Sequence, residues 1–255
     1  MAPTSSADII FYDIAPGPPV RPFAPNPWKA RYALNFKGAD YVTEWVDLSQ
    51  VKATRQKLGA APVRFFADGE PFYTLPVIRD TSTETETVVG DSFDIAVHVE
   101  KKYPNAPSLF RNGSIGLYAA FNTQIDDLFF HGVALCPVGF PFNPETEAEC
   151  KAEMCRRAGI EKFEDLLLPE EGRRKVLAGL ESALGGVAKF YRFSPDADDS
   201  PFMGGSEEAD YADIILGSWL MFFSQTVPEF TEMRTWHGGR WGRLHDALEK
   251  YRGTW

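Results

Sequence analysis

The sequence predicts an α/β unit over residues 1–104, a linker at 105–113 and an all-α unit over residues 114–255. Three observations carry this. Extended runs rich in β-formers alternate with helical stretches through the first 104 residues. A turn-rich run, PNAPSLFRNG, follows at 104–113. Beyond it the extended patterns vanish, and apolar residues recur at helical spacing, as in Leu117, Phe121, Ile125 and Leu128.

The elements follow in order. Residues 7–13, ADIIFYD, form a first strand. Prolines at 16, 18, 19, 22, 25 and 27 then impose a stiff extended loop and exclude helix until the last of them. Pro27 suits a first helical turn, where its missing N–H has no intrahelical role. The first helix is expected over 28–37, with Trp28, Tyr32 and Phe36 along one face and Gly38 as its stop. A second strand at 41–46 and a helical segment at 48–58 lead to the stretch 72–93, FYTLPVIRDTSTETETVVGDSF. There an apolar strand at 73–79, a polar turn at 80–86 and a second strand at 87–89 make a hairpin that runs into a helix capped by Gly90, Asp91 and Ser92. Pro76 cannot donate to a ladder, so its strand must stop pairing there, lie at an edge, or bend. A bend beside a helix N-terminus frees backbone groups, and together they suit a peptide-like ligand. His98, on the helix that follows, reads as a partly buried helical residue.

Further helices are expected over 147–163 and 170–191, the latter with Val176, Leu180, Leu184 and Val187 on one face. Prolines 137, 141 and 144 break the segment before them. Asp210 and Asp213 have the spacing of a reciprocal cap on an apolar helix over 214–223, a role in folding. The last segment, 236–255, places Leu244, Ala247, Leu248 and Tyr251 on one face, and Trp255 is expected to cover the core or a ligand.

Leu75-Pro76-Val77-Ile78 followed by Asp91-Ser92 at a helix start resembles the glutathione-binding half of cytosolic glutathione transferases. The order of elements is that of their thioredoxin-like domain. The resemblance implies a cis Pro76, backbone pairing of Leu75 with the cysteinyl part of glutathione, and a grip on the γ-glutamyl end by Asp91 and Ser92. Two further stretches resemble the fungal etherase-like branch, relatives of bacterial β-etherases that cleave aryl ethers. One is the loop and helix FAPNPWKARYALNFKGADYVTEW; the other is Asp68-Gly69-Glu70-Pro71-Phe72-Tyr73-Thr74-Leu75-Pro76. The matches together span residues 8–110.

The chemistry such a site needs is stabilisation of a thiolate, because an ordinary thiol with a pKa of ~8.5 is mostly protonated near neutral pH. Helix N-terminal donors and one side-chain donor supply it. Where the etherase-like pattern has a serine, this chain has Ala24, which donates nothing through its side chain. Asn26 is the nearest substitute, through its amide, with backbone N–H groups around Trp28 beside it; capping the first helix is the other reading of Asn26. The loop lacks a cysteine, which disfavours thiol transfer through a mixed disulfide. Arg64, Lys52, Gln56 and Lys57 are candidates for the glycine carboxylate of glutathione, Arg64 being nearest the hairpin. Phe23, Tyr118, Phe121 and Phe129 are candidates for an aromatic acceptor pocket, with core packing as the competing role.

The formal charge of −10, with no compensating basic run, argues against nucleic acid and anionic lipid. The N-terminus lacks a leader pattern and no apolar run reaches membrane-spanning length, so the expectation is a cytoplasmic protein. Cys136, Cys150 and Cys155 have neither disulfide-framework nor metal spacing, and no metal is expected. The function expected from the resemblance is a glutathione transferase of the etherase-like type, forming homodimers and acting on aromatic small molecules. The alternative is a carrier of such molecules that does not turn them over.

Overall fold

A computed structural model describes residues 7–193 and 200–253. The chain divides into two compact units. The first comprises Met1–Pro107, Phe142–Glu153 and Arg252–Trp255; the second comprises Ser108–Pro141 and Met154–Tyr251. The division after Pro107 falls inside the turn-rich run, but two later segments join the first unit, which a division at a single linker does not anticipate.

In the first unit, β1 (Ile9–Ile14) lies between a parallel β2 (Tyr41–Val46) and an antiparallel β5 (Val77–Asp80), and β6 (Thr87–Val89) pairs antiparallel with β5. The parallel pair is bridged by α1 (Pro25–Phe36), the crossover that a parallel connection requires. After β2 come α2 (Val51–Lys57) and a minimal ribbon of β3 (Arg64–Phe65) with β4 (Pro71–Phe72). The strand expected over 73–79 is shorter: residues 73–76 are not in a strand, the Leu75–Pro76 bond is cis, and β5 begins at Val77. Pairing thus starts only past the residue that has no N–H.

Helix α1 also departs from expectation. It begins at Pro25, with Pro27 inside its first turn, since the N–H groups of that turn have no intrahelical partner to lose. Trp28 and Phe36 are buried as expected, yet so are Lys29, Arg31 and Leu34, so α1 is enclosed on all sides. The charge on Arg31 is met by Asp13 of β1 at 2.8 Å, both side chains fully buried. Lys37 Nζ donates to Glu100 and to the Pro107 carbonyl, each at 2.9 Å.

The hairpin ends at α3 (Ser92–Lys102), whose cap is Asp91. His98 Nε2 lies 2.7 Å from Asp80 Oδ2, and Lys102 Nζ 3.1 Å from Oδ1, so the strand end and the helix are tied by charge. Burial of Asp80 opposes its ionisation, but hydrogen bonds from Ser82, His98 and Lys102 outweigh it and hold the carboxyl well below its ordinary value.

The second unit contains the helices α4 (Ile115–Phe130), α6 (Glu170–Ala188), α7 (Tyr211–Thr226), α8 (Phe230–Met233) and α9 (Trp236–Ala247), with α5 (Glu147–Ala158) crossing the division in the chain. The helix expected over 147–163 stops at Ala158 because Gly159 takes a left-handed conformation, which lets the Ile160 N–H reach back to the Cys155 carbonyl at 3.1 Å. Left-handed His237, Gly238 and Gly239 likewise interrupt α9, and Trp255 lies outside the described residues. Helix α7 is the centre of this unit, buried from Tyr211 to Phe223.

The expected cap on α7 is present in full. Asp210 Oδ1 accepts from Ala212 N–H at 2.9 Å, and Asp213 Oδ2 accepts from Asp210 N–H at 3.0 Å. Asp213 also accepts from Met203 N–H at 2.8 Å, which pins the preceding loop to the helix. Burial, reinforced by the Asp210 charge, pushes Asp213 up to about 7, against those two N–H donors. A raised carboxyl contributes stability that is complete below the ordinary carboxylate range and lost as pH rises through the folded value. Asp213→Asn is therefore expected to cost about 1 kcal/mol at pH 5 through the lost cap bond. That deficit should narrow toward pH 8 in denaturant titrations; a deficit constant from pH 5 to 8 would assign the slope to another group.

Candidate functional site

The N-terminus of α1, the cis-proline turn and the N-terminus of α3 all belong to the first unit. At α1 the cap residue is Ala24, with no side-chain cap bond, so the capping role open to Asn26 is not the one it takes. Asn26 sits in the first turn between two prolines. Pro25 and Pro27 carry no N–H, and the Trp28 N–H is bonded to the Ala24 carbonyl at 3.1 Å. Of the first three helical positions, only Asn26 has a backbone N–H to offer a ligand. Its half-buried amide makes no hydrogen bond among the described residues. The expected anion-binding function of the helix end thus collapses onto one residue. Trp28 does not share it: its indole N–H donates to the Pro22 carbonyl at 2.8 Å, and its ring packs on Tyr32, centroids 4.9 Å apart. Trp28 is a wall of this turn, with neither of its donors free.

Leu75 and Pro76 are buried, and the Leu75 N–H has no backbone partner among the described residues. The Leu75 carbonyl accepts from the Thr74 hydroxyl at 3.0 Å. This is the short length of unladdered backbone that a buried proline after an extended segment foretells. Across from it, Asp91 caps α3 by accepting from Phe93 N–H at 2.8 Å, and Ser92 is buried beside it.

The residue that joins these parts was not singled out in the sequence. Arg55 of α2 is only 2% exposed, and its Nη1 donates to the Thr74 carbonyl at 2.6 Å and to the Gly90 carbonyl at 2.8 Å. Its Nη2 donates to the Ala61 carbonyl. One nitrogen therefore holds the residue before Leu75 and the residue before Asp91 side by side. Burial lowers the pKa of Arg55, opposed by the charge of Asp91 and by Tyr73. Gly90 has no room for a side chain, since a Cβ there would meet Arg55 Nη2 at 2.4 Å. An arginine among Lys52, Gln56 and Lys57 looks like one more surface charge, and only the fold shows that it faces inward.

Arg64 is exposed on β3, its guanidinium 4.3 Å from the Phe72 ring centroid, and Lys52, Gln56 and Lys57 are exposed on α2. Among the aromatic candidates, Phe23 is buried in the first unit. In the second unit Tyr118 donates its hydroxyl to Asp210 Oδ2 at 3.0 Å. Burial, with the Asp210 charge, raises the Tyr118 hydroxyl well above its ordinary value. It braces the α7 cap. Phe121 is half-buried, whereas Phe129 is fully buried and stacked on Trp219, centroids 5.4 Å apart and planes 6° apart, which makes it a core residue. Among the described residues no group of three or more His, Cys, Asp or Glu is placed to hold a metal, and no helix is long and apolar enough to cross a membrane.

Family models match both parts of the chain. One described as glutathione S-transferase, N-terminal domain, matches residues 23–102, and one described as glutathione S-transferase, C-terminal domain, matches residues 117–251. A glutathione S-transferase of Ceriporiopsis subvermispora, solved in complex with glutathione, is 32% identical, with a TM-score of 0.83 covering 95% of this chain and 97% of that one. Glutathione transferase GSTFuA3 from Phanerochaete chrysosporium is 28% identical, with a TM-score of 0.83 covering 97% of this chain and 98% of that one. A Tau class glutathione S-transferase from mango, Mangifera indica, shares the fold alone, at 16% identity and a TM-score of 0.56, covering 96% of this chain and 88% of that one. No curated protein sequence matches.

Proposed function

Because this chain belongs to the glutathione S-transferase family, we propose that it binds glutathione along the cis-proline turn and presents the thiol to the first turn of α1. The observation that carries this is the pairing, by Arg55, of the open Leu75 backbone with the Asp91–Ser92 cap. An extended cysteinyl unit fits the first, through the free N–H of Leu75. A γ-glutamyl end with its ammonium and carboxylate fits the second, the ammonium at Asp91 and the carboxylate at the donors of Ser92 and the helix end. The glycine carboxylate falls to Arg64 or to a cation or amide of α2.

The reaction proposed is of the etherase-like kind. The thiol gives up its proton to solvent, which later reprotonates the leaving group; the sulfur anion accepts from the amide and backbone N–H of Asn26, and it then attacks an electrophilic carbon of a hydrophobic aromatic substrate. As the S–C bond forms the C–O bond breaks, and the aryl oxide leaves with the electron pair and takes up a proton. A homodimer acting on aromatic small molecules is part of this reading. Ala24 supports a second one, in which the protein carries aromatic ligands and turns them over slowly or not at all, since the side chain at that position offers no donor.

Glutathione titration across a pH series, followed by ultraviolet absorbance of the thiolate, separates the two. Ionisation of bound glutathione well below its free pKa supports catalysis; binding as the neutral thiol supports the carrier. Asn26→Ala is expected to raise the bound thiol's pKa by about one unit and to lower turnover tenfold to a hundredfold, roughly the worth of one charge-assisted hydrogen bond. Unchanged ionisation and turnover would remove Asn26 from the mechanism.

A further inference from the structure

We infer that Arg55 is a positioning residue for glutathione: it sets the affinity of the site by fixing the gap between the Leu75 backbone and the Asp91–Ser92 cap, without touching the ligand. This rests on the glutathione-binding reading above and specifies which side chain makes that site.

The argument starts from the backbone. The two receptor elements come from different turns, with Thr74 and Gly90, the neighbours of the gap's two edges, 16 positions apart and β5 and β6 between them. Residues 73–76 have no ladder to hold them, and Gly90 follows the last residue of β6. Neither turn is rigid through its own secondary structure. Both are held instead from a third element, α2, by a single guanidinium whose planar fork serves Thr74, Gly90 and Ala61 at once. An ammonium at that point is a compact charge on a flexible stem, without the fixed fork that sets the spacing of three carbonyls. Asp91, whose charge favours protonated Arg55, lies one residue beyond the held carbonyl of Gly90. A ligand that spans both receptor elements depends on their separation, because a misfit of about 1 Å is felt as lost affinity.

Two substitutions approach the same contact from opposite sides. Arg55→Lys keeps the charge and removes the fork. Gly90→Ala keeps Arg55 and drives a methyl group into its Nη2. Calorimetric titration with glutathione is expected to show dissociation constants raised about tenfold or more in both variants. The pKa of the bound thiol, read from thiolate absorbance at saturating glutathione, is expected to stay at the wild-type value, since that group is served by Asn26. A variant that merely unfolds would lose ligand and thiolate signal together, in proportion to its unfolded fraction by circular dichroism. Should Arg55→Lys not fold, Gly90→Ala carries the test.

Folded variants that bind glutathione with the wild-type constant would overturn the inference while leaving the glutathione site standing. So would a loss that only tracks the unfolded fraction. Wild-type protein that fails to bind glutathione would overturn the functional reading and this inference with it.

Discussion

Arg31→Met is expected to destabilise the first unit by about 3–5 kcal/mol, the cost of leaving a buried charge without its partner. Arg31 Nη2 meets Asp13 Oδ2 at 2.8 Å, and Nη1 reaches the Thr43 hydroxyl at 3.2 Å and the Tyr41 hydroxyl at 3.3 Å. Its guanidinium also lies 4.8 Å from the Phe11 ring centroid. Burial already raises the pKa of Asp13, and Arg31 is the charge that opposes the rise. Without it the folded protein holds Asp13 protonated while the unfolded chain ionises it, so the unfolded state binds fewer protons and stability falls as pH increases above the ordinary carboxylate range. The deficit of Arg31→Met, measured by denaturant titration, should therefore be larger at pH 8 than at pH 5. Adding Asp13→Asn should recover most of it, because the Asn carbonyl can still accept from the Ile14 N–H, now 2.7 Å from Asp13 Oδ1. A deficit that is independent of pH and not relieved by Asp13→Asn would mean that packing, and not charge, is what Arg31 contributes.

Phe129→Ala is expected to cost about 3–5 kcal/mol, the usual consequence of deleting a fully buried aromatic ring where the surroundings cannot collapse. Phe129 lies flat against Trp219, with Phe223 at 5.6 Å between centroids. Trp219 is itself fixed, since its indole N–H donates to Asp126 Oδ1 at 2.7 Å, so it cannot tilt into the space left behind without giving up that bond. Loss of such a stack also forfeits about 0.5–1.5 kcal/mol of ring-to-ring interaction. Thermal unfolding measures the effect. The outcome that would return Phe129 to a role in acceptor binding is an unchanged melting temperature with altered affinity for aromatic ligands.

The sequence exposed those parts of the fold that follow from local rules. Gly38 stops a helix, Asp91 and the pair Asp210 and Asp213 start helices, and Pro76 marks where a ladder cannot form, whereas the stop at Gly159 falls inside the helix expected over 147–163. The outlines of β1, β2, α3 and α4 were legible for the same reason. The two-residue strands β3 and β4 were not, because so short a run has no period. Helix α1 starts earlier than expected because its first turn admits both Pro25 and Pro27, and not the last proline of the run alone. At the site, Leu75, Pro76, Asp91 and Ser92 could be named from motif and cap chemistry, and Asn26 as the nearest donor to Ala24, where the serine is missing. Arg55 could not. Its partners are three carbonyls, which every residue possesses, so no pattern of side chains announces them. Phe129 and Trp28 illustrate the converse difficulty: an aromatic side chain looks alike in sequence whether it lines a cavity or fills a core.

The two late segments that join the first unit make that unit discontinuous along the chain. The Thr146 hydroxyl donates to Asp47 Oδ1 at 2.9 Å, and the Gly253 carbonyl accepts from the Asn35 amide at 2.8 Å. Gly17 sits so tightly against the Phe142 carbonyl that a Cβ would come within 2.2 Å of it. During synthesis on the ribosome, then, the first unit cannot complete its contacts until residue 253 has been made, since Asn35 and Tyr41 both donate to its carbonyl. The same arrangement bears on chimaeras. Grafting a relative's helical half after residue 107 would bring foreign residues to the places of Phe142, Thr146 and Gly253, and so would rebuild part of the half that was meant to be kept.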